Sequence, residues 1–298
     1  MAQYFYPGQR RHRLPHHTIN PSTSMNTLLL PTDFSEHDLA VARYALSFAQ
    51  TTGYNRVLLY HVYQLPITGD PMMPSLELMG VDELRTAADR GMRRFVEQLQ
   101  VPTSIHLDTL TEYNVLEGGI AELCRQRAVG LIIMGITQGH GWEDALLGSN
   151  TLSVAREVQV PVLAIPHSAV PRPLQKLVMT VDYKEVNEHY PLSQLKNFMD
   201  LTGAQLHFLH VDESNAHLTM EQEHQRLYLE NGLQGLAADY HHVQHPVLHE
   251  AVNGFAEAQG ADAIGLVVRK QGWLQSLFRK DHGQEIASHT HLPLLLLH

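Results

Sequence analysis

A chain of 298 residues, 44% of them apolar and 17% charged, is long enough to build two hydrophobic cores and too apolar to remain disordered. Acidic side chains outnumber basic ones by 31 to 21, a net charge of −10, which argues against a general nucleic-acid binder and against docking on an anionic membrane. The single cysteine, Cys124, excludes an intramolecular disulfide, and no apolar run approaches the roughly 18 residues of a membrane span, so the expectation is a soluble protein of a reducing cytoplasm.

Residues 1–24 carry Arg10, Arg11, Arg13 and several histidines without the apolar core of a secretory signal, and read as a flexible tail. Met25 stands directly before the first strand and is an alternative translation start. Residues 26–35 predict a short buried strand ending in a loop. Ser35 can cap the helix that follows, whose first turn holds Glu36 and Asp38 and whose Leu39, Ala42, Ala45, Leu46 and Ala49 recur at helical spacing until Gly53. A second strand is expected over 57–62, a proline- and glycine-rich loop over 64–80, and a helix over about 82–100. A strand over 104–111, a helix over 115–127 and a strand over 131–134 come next, then a helix over about 149–158 and a strand over 160–165. Cys124 falls in the third helical pattern and reads as a small residue at or near the core. Strands alternating with helices at this spacing imply a parallel sheet with right-handed crossovers.

Residues 166–173 are rich in proline and lack periodicity, as a linker does, and the pattern then begins again. Asp182 and His210 each stand 149 residues after Asp33 and His61, at the ends of similar apolar runs, and two landmarks at one offset indicate a duplicated unit. Residues 263–268 and 293–297 take the places of the fourth and fifth strands. The chain is therefore read as two copies of an open, five-stranded, parallel α/β domain.

The stretch from Met134 to Asn150 links the fourth strand to the next helix and contains Gly135, Gly139, Gly141 and Gly148. Glycines between a buried strand and a helix N-terminus let backbone amides approach an anion, although glycines also end strands for purely structural reasons. Ligands of open parallel sheets sit beyond the carboxyl ends of the strands where the strand order reverses, and Asp33, Val62 and Gly135 all reach that edge. A carboxylate for ribose hydroxyls beside a glycine loop for phosphates selects a nucleotide over a bare anion. The structural alternative for Asp33 is a turn or helix cap before Phe34 and Ser35.

These residues resemble the universal stress protein family, over both halves of the chain from Met25 onward. Residues 30–35 look like that family's opening strand and loop, and residues 132–135, 147–149 and 161–163 like its closing module. The resemblance implies a Rossmann-like, adenine nucleotide alpha-hydrolase-like fold in tandem. Its parts would be a tail (1–24), an N-terminal universal stress domain (25–167), a linker (168–173) and a degenerate C-terminal domain (174–298). It also implies that the fifth strands, residues 161–165 and 293–297, lie antiparallel across a pseudo-twofold axis. The family's ATP-binding members carry a loop G-x2-G-x9-G-[ST]; Gly135, Gly148 and Ser149 fit it, whereas Gln138 occupies the second glycine position with Gly139 adjacent. By resemblance, Pro31, Thr32 and Asp33 would contact adenine or ribose and the Val62 backbone adenine. Met134, Gly135, Gly139, Gly148, Ser149 and Asn150 would surround ribose and phosphates. The implied ligand is ATP, with or without magnesium, or another adenine nucleotide, with Gln138 favouring weakened binding or a smaller nucleotide.

The second copy keeps Asp182 but places Arg279 and Lys280 where Gly148 and Ser149 stand, so it is not expected to bind ATP in the family's manner; the alternative is that Arg269, Lys270, Arg279 and Lys280 hold another anion through their side chains. His241, His242 and His245, and His289 with His291, form no complete ligand set at a recognised spacing, so they read as surface or strand-edge residues and no metal is assigned. His61 and His210 read as structural. With no G-x-S-x-G elbow, Cys–His signature or Walker loop, no catalytic residue is assigned. The expectation is a non-catalytic stress-response module that acts through an unnamed protein partner, with internal domain pairing and homodimerisation open. Its rivals are a nucleotide-free interaction scaffold and a weak ATP hydrolase.

Overall fold

The structure, a computed structural model, describes residues 27–64, 80–136, 149–183, 186, 190–212, 217–268 and 290–298. The tail, the loop at 65–79, the glycine-rich stretch over 137–148 and the basic segment at 269–289 lie outside the described residues.

Among the described residues, ten strands form one sheet: β1 (Thr27–Pro31), β2 (Arg56–Tyr63), β3 (His106–Tyr113), β4 (Val129–Gly135), β5 (Val162–Ile165), β6 (Lys176–Thr180), β7 (Gln205–Asp212), β8 (Ala238–Gln244), β9 (Ala263–Val267) and β10 (Leu294–Leu297). They lie in the order β3-β2-β1-β4-β5-β10-β9-β6-β7-β8. Each half thus has the same order, 3-2-1-4-5 and, counted from the far edge, 8-7-6-9-10. All pairings within a half are parallel, and the halves meet where β5 and β10 run antiparallel, Leu163 opposite Leu295. The predicted antiparallel fifth strands are therefore observed, and each covers an apolar edge that would otherwise invite association.

Among the described residues, seven helices cover the sheet: α1 (Glu36–Thr52), α2 (Val81–Glu97), α3 (Leu116–Gln126), α4 (Ser149–Glu157), α5 (Leu192–Thr202), α6 (Met220–Gly232) and α7 (Leu248–Gln259). Successive strand residues point to opposite faces, so Leu28 and Leu30 join a core beneath α1, α2, α5 and α6, while Leu29 joins another beneath α3, α4 and α7. Burial on both faces is why β1, β4, β9 and β10 read as unbroken apolar runs. The first of these cores is continuous across both halves, with Phe48 of α1 stacked on Phe198 of α5 at 6.3 Å.

Ser35 caps α1 as expected, its hydroxyl accepting from the Asp38 amide at 3.1 Å, and Gly53 ends the helix at φ 76°, a left-handed conformation that glycine adopts without strain. β3 starts two residues later than its sequence pattern predicts. Residues 166–175 contain no helix or strand. In that connection Arg172 is tied to the second half by an ion pair with Asp262 at 2.8 Å and a hydrogen bond to the Ala261 carbonyl.

Candidate functional site

Strand β1 lies between β2 and β4, with β1 to β2 leading one way across the sheet and β4 the other. The carboxyl end of β1 is therefore the point where strand order reverses, and it brings together Pro31, Thr32 and Asp33 with Val62 of β2 and Met134 and Gly135 of β4. Pro31, Thr32 and Met134 are buried, Val62 is half-buried, and Asp33 is exposed at the edge. Asn150 is exposed in the first turn of α4, and Ser149 opens that helix. Gly139, Gly148 and Gln138 lie outside the described residues.

The turn from β1 to α1 is held internally. The Thr32 amide donates to the Tyr60 carbonyl at 2.8 Å, and its hydroxyl accepts from the Phe34 amide at 3.0 Å. Asp33 Oδ1 accepts from the Ser35 amide at 2.8 Å, while the Asp33 amide donates to Asp38 Oδ2 at 2.7 Å. The turn role that the sequence offers Asp33 is thus realised, and it aims the carboxyl at the exposed edge. Phe34 has φ 69°, in the left-handed region that costs a non-glycine residue about 1 kcal/mol or more. Its ring stacks on His61 at 4.1 Å and packs against Gly91, where a methyl group would come within 2.7 Å. His61 Nδ1 lies 2.7 Å from the Thr32 carbonyl, the structural role expected for it.

Sequence reasoning missed three residues here. His37 lies across Gly135, where a methyl group would stand 2.5 Å from its Nε2. The close approach that Gly135 permits is taken, in this structure, by an imidazole. His37 Nδ1 is 3.1 Å from His167 Nδ1, and burial, then the neighbouring His167, lower its pKa against the opposing pull of Asp33. Thr151 is the second: it is buried in α4, and its hydroxyl donates to the Gly135 carbonyl at 3.0 Å, so both ends of the glycine-rich stretch are clamped together. Asp38 is the third. Burial, with the nearby charge of Asp33, raises its carboxyl to about 7 despite the hydrogen bond from the Asp33 amide. Burial opposes ionisation of Asp33 too, but hydrogen bonds from Ser35 and Asp38 outweigh it and hold Asp33 below the ordinary carboxylate value. The edge therefore offers an ionised Asp33 beside a neutral His37 and a readily protonated Asp38. A helical residue four places beyond Asp33 had no sequence signal of its own, since its approach depends on how α1 seats on β4.

The second half repeats the turn in detail. Tyr183 has φ 53°, the Val181 amide donates to the Leu209 carbonyl at 3.0 Å, and His210 Nδ1 lies 2.9 Å from the Val181 carbonyl. Asp182 retains its place, but the registers of β1 with β4 and of β6 with β9 set Val267 where Gly135 stands. The histidines that looked incomplete in sequence gain partners through the parallel register of β7 and β8: His207 with Asp239 and His241, and His210 with Asp212 and His242. A cavity of about 650 Å³ opens at the other edge of the sheet, lined by Thr52, Lys176, Thr202, Gln205 and Asp262, and contains none of the predicted site residues. Cys124 is half-buried, and burial pushes its thiol up to about 11, consistent with an inert near-core residue.

Residues 25–166 match the model of the universal stress protein family. A universal stress protein of Methanocaldococcus jannaschii is 28% identical over 138 residues, which is 46% of this chain and 80% of that protein. Among solved structures, a universal stress protein from Archaeoglobus fulgidus overlays 92% of this chain and 96% of its own at 19% identity, with a TM-score of 0.68. A putative universal stress protein from Pseudomonas aeruginosa overlays 91% of this chain and 92% of its own at 15% identity, with a TM-score of 0.53. At those identities the structures speak for the fold, whereas the family match speaks for the first half's lineage. Residues 25–166 thus carry a domain that matches the universal stress protein family.

Proposed function

We propose that the protein binds one adenine nucleotide, ATP with or without magnesium, at the carboxyl edge of β1 and β4, and acts in the cytoplasm as a non-catalytic, nucleotide-responsive stress regulator. The observation that carries this reading is the reversal of strand order at β1 beside a glycine-rich stretch whose ends are clamped by Thr151 and Gly135. Ribose would meet Asp33, with Pro31, Thr32 and the Val62 backbone framing the base. Phosphates would lie along Met134, Gly135, Gly139 and Gly148 toward Ser149 and Asn150, where the amides that open α4 favour negative charge. Residues 25–167 would form the binding unit, 168–173 the connector, and 174–298 a partner unit that has lost the site. Among the described residues no helix is long and apolar enough to cross a membrane.

Equilibrium dialysis with ATP, ADP and AMP tests the reading. One site per chain is expected, with Asp33→Asn weakening it about tenfold to a hundredfold as a charge-assisted hydrogen bond is lost. Two equivalent sites, or full affinity in Asp33→Asn, would sink it. His37 seated on Gly135 favours a second reading, a nucleotide-free interaction scaffold. That reading predicts no nucleotide binding in either wild type or His37→Ala, and no nucleotide-dependent rise in melting temperature.

A further inference from the structure

In the second half, three potential metal ligands converge at the carboxyl edge of β7 and β8. His210 and Asp212 are two residues apart on β7 and so share a face of the sheet, and His242 is the register partner of His210 on β8. One donor atom from each of the three lies within 4.8 Å of the others. His210 is 5% exposed, and its Nδ1 sits 2.9 Å from the Val181 carbonyl, which can only accept. The ring proton is therefore on Nδ1, and Nε2 carries a lone pair. That Nε2 is buried with no hydrogen-bond partner among the described residues, an unfavourable state that a bound ligand would relieve. A histidine whose one nitrogen donates to a backbone carbonyl while the other keeps an unshared lone pair is oriented as metal ligands are.

The first half provides an internal control. His61 makes the same bond to the Thr32 carbonyl, but its neighbours in the matching positions are Tyr63 and Thr111, and Thr111 donates to Asp89. The carboxylate and the second imidazole occur only in the second copy. That is the copy in which Val267 replaces the glycine at the end of the fourth strand.

We propose that His210, Asp212 and His242 bind a divalent transition-metal ion of the zinc class, through His210 Nε2, the Asp212 carboxylate and a ring nitrogen of His242. Two imidazoles and one carboxylate suit such an ion, and three protein ligands leave a fourth position for water or an incoming ligand. Donor atoms around tetrahedral zinc stand about 3.3 Å apart, and rotation of the exposed His242 closes the distance. The neighbouring set of His207, Asp239 and His241 lies on the other face of the same strands. There His207 Nδ1 and His241 Nε2, 3.1 Å apart, already satisfy one another.

Calorimetric titration of the full chain with Zn²⁺, and the visible absorption of bound Co²⁺ as a readout of coordination, test the site. One ion per chain with a tetrahedral cobalt spectrum is expected. His242→Ala and Asp212→Asn, both on the accessible side of the set, should each weaken binding about tenfold or more, and His241→Ala should leave it unchanged. Absence of saturable binding in wild type, or loss in His241→Ala with retention in His242→Ala, would overturn the proposal. Circular dichroism of each variant separates loss of a ligand from loss of the fold.

Discussion

Gly119 has room for nothing larger than hydrogen: a methyl group there would stand 1.9 Å from the Tyr60 hydroxyl, whose side chain is fully buried and donates to Glu112 at 2.7 Å. Alanine would gain about 1 kcal/mol of helix propensity in α3, but the tyrosine cannot retreat without losing that bond. Gly119→Ala should therefore be destabilising by about 1–3 kcal/mol, read as a lower urea midpoint, and by less in a Tyr60→Phe background, where the hydroxyl is gone. Equal losses in both backgrounds would refute the contact as the cause. Asp38 gives a second test at this scale. Because the folded protein holds its proton to about pH 7 while an unfolded carboxyl releases it near 3.8, the folded state binds more protons between those values. Stability should fall as pH rises through that window, by at most about 1.4 kcal/mol per pH unit and by a fraction of that for a half-buried group. Asp33, held low, acts oppositely and only as pH drops below 3.8, so the two contributions separate. Histidines with lowered pKa, His37 among them, add an opposite slope below pH 6.5 in both proteins, so the test is the difference: between pH 4.5 and 7 the stability of wild type relative to Asp38→Asn should decline as pH rises.

The turn that joins a first strand to its helix was legible in sequence because its parts are local. The apolar run, Asp33, the Ser35 cap and the 149-residue offset to Asp182 and His210 all survive into the structure. What the offset could not convey is that Phe34 and Tyr183 share a left-handed backbone, since neither is a residue that signals one. β8 was not identified as a strand at all. Its sequence, Ala-Asp-Tyr-His-His-Val-Gln, is that of a half-exposed edge strand, where polar residues conceal the alternation, and its histidines drew attention as a cluster instead. Their partners His207 and His210 lie more than thirty residues earlier and reach them only through parallel register, which spacing in sequence does not encode. His37 carries no sequence signal for the same reason: its contact with Gly135 joins the first turn of α1 to the end of β4, nearly a hundred residues on.

At the scale of the molecule, the two copies share a core as well as an edge. Leu163 and Leu295 face each other at the antiparallel joint, both without exposed surface, in a cluster that runs from Val41 and Phe48 of α1 to Phe198 and Leu229 of the second half. A core continuous across the joint couples the halves thermodynamically, because unfolding either one would strip apolar partners and backbone hydrogen bonds from the other. Leu295→Ala removes side-chain volume at the centre of that joint and should cost about 2–5 kcal/mol. The loss belongs to both halves, so differential scanning calorimetry should record one transition in wild type and one, several degrees lower, in the variant. If the variant instead showed two resolved transitions with only one displaced, the halves would be independent folding units in contact, and β5–β10 would be an interface between domains. A single displaced transition would mean that duplication here produced one cooperative sheet, so that a ligand held at the carboxyl edge of the first copy stabilises the second as well.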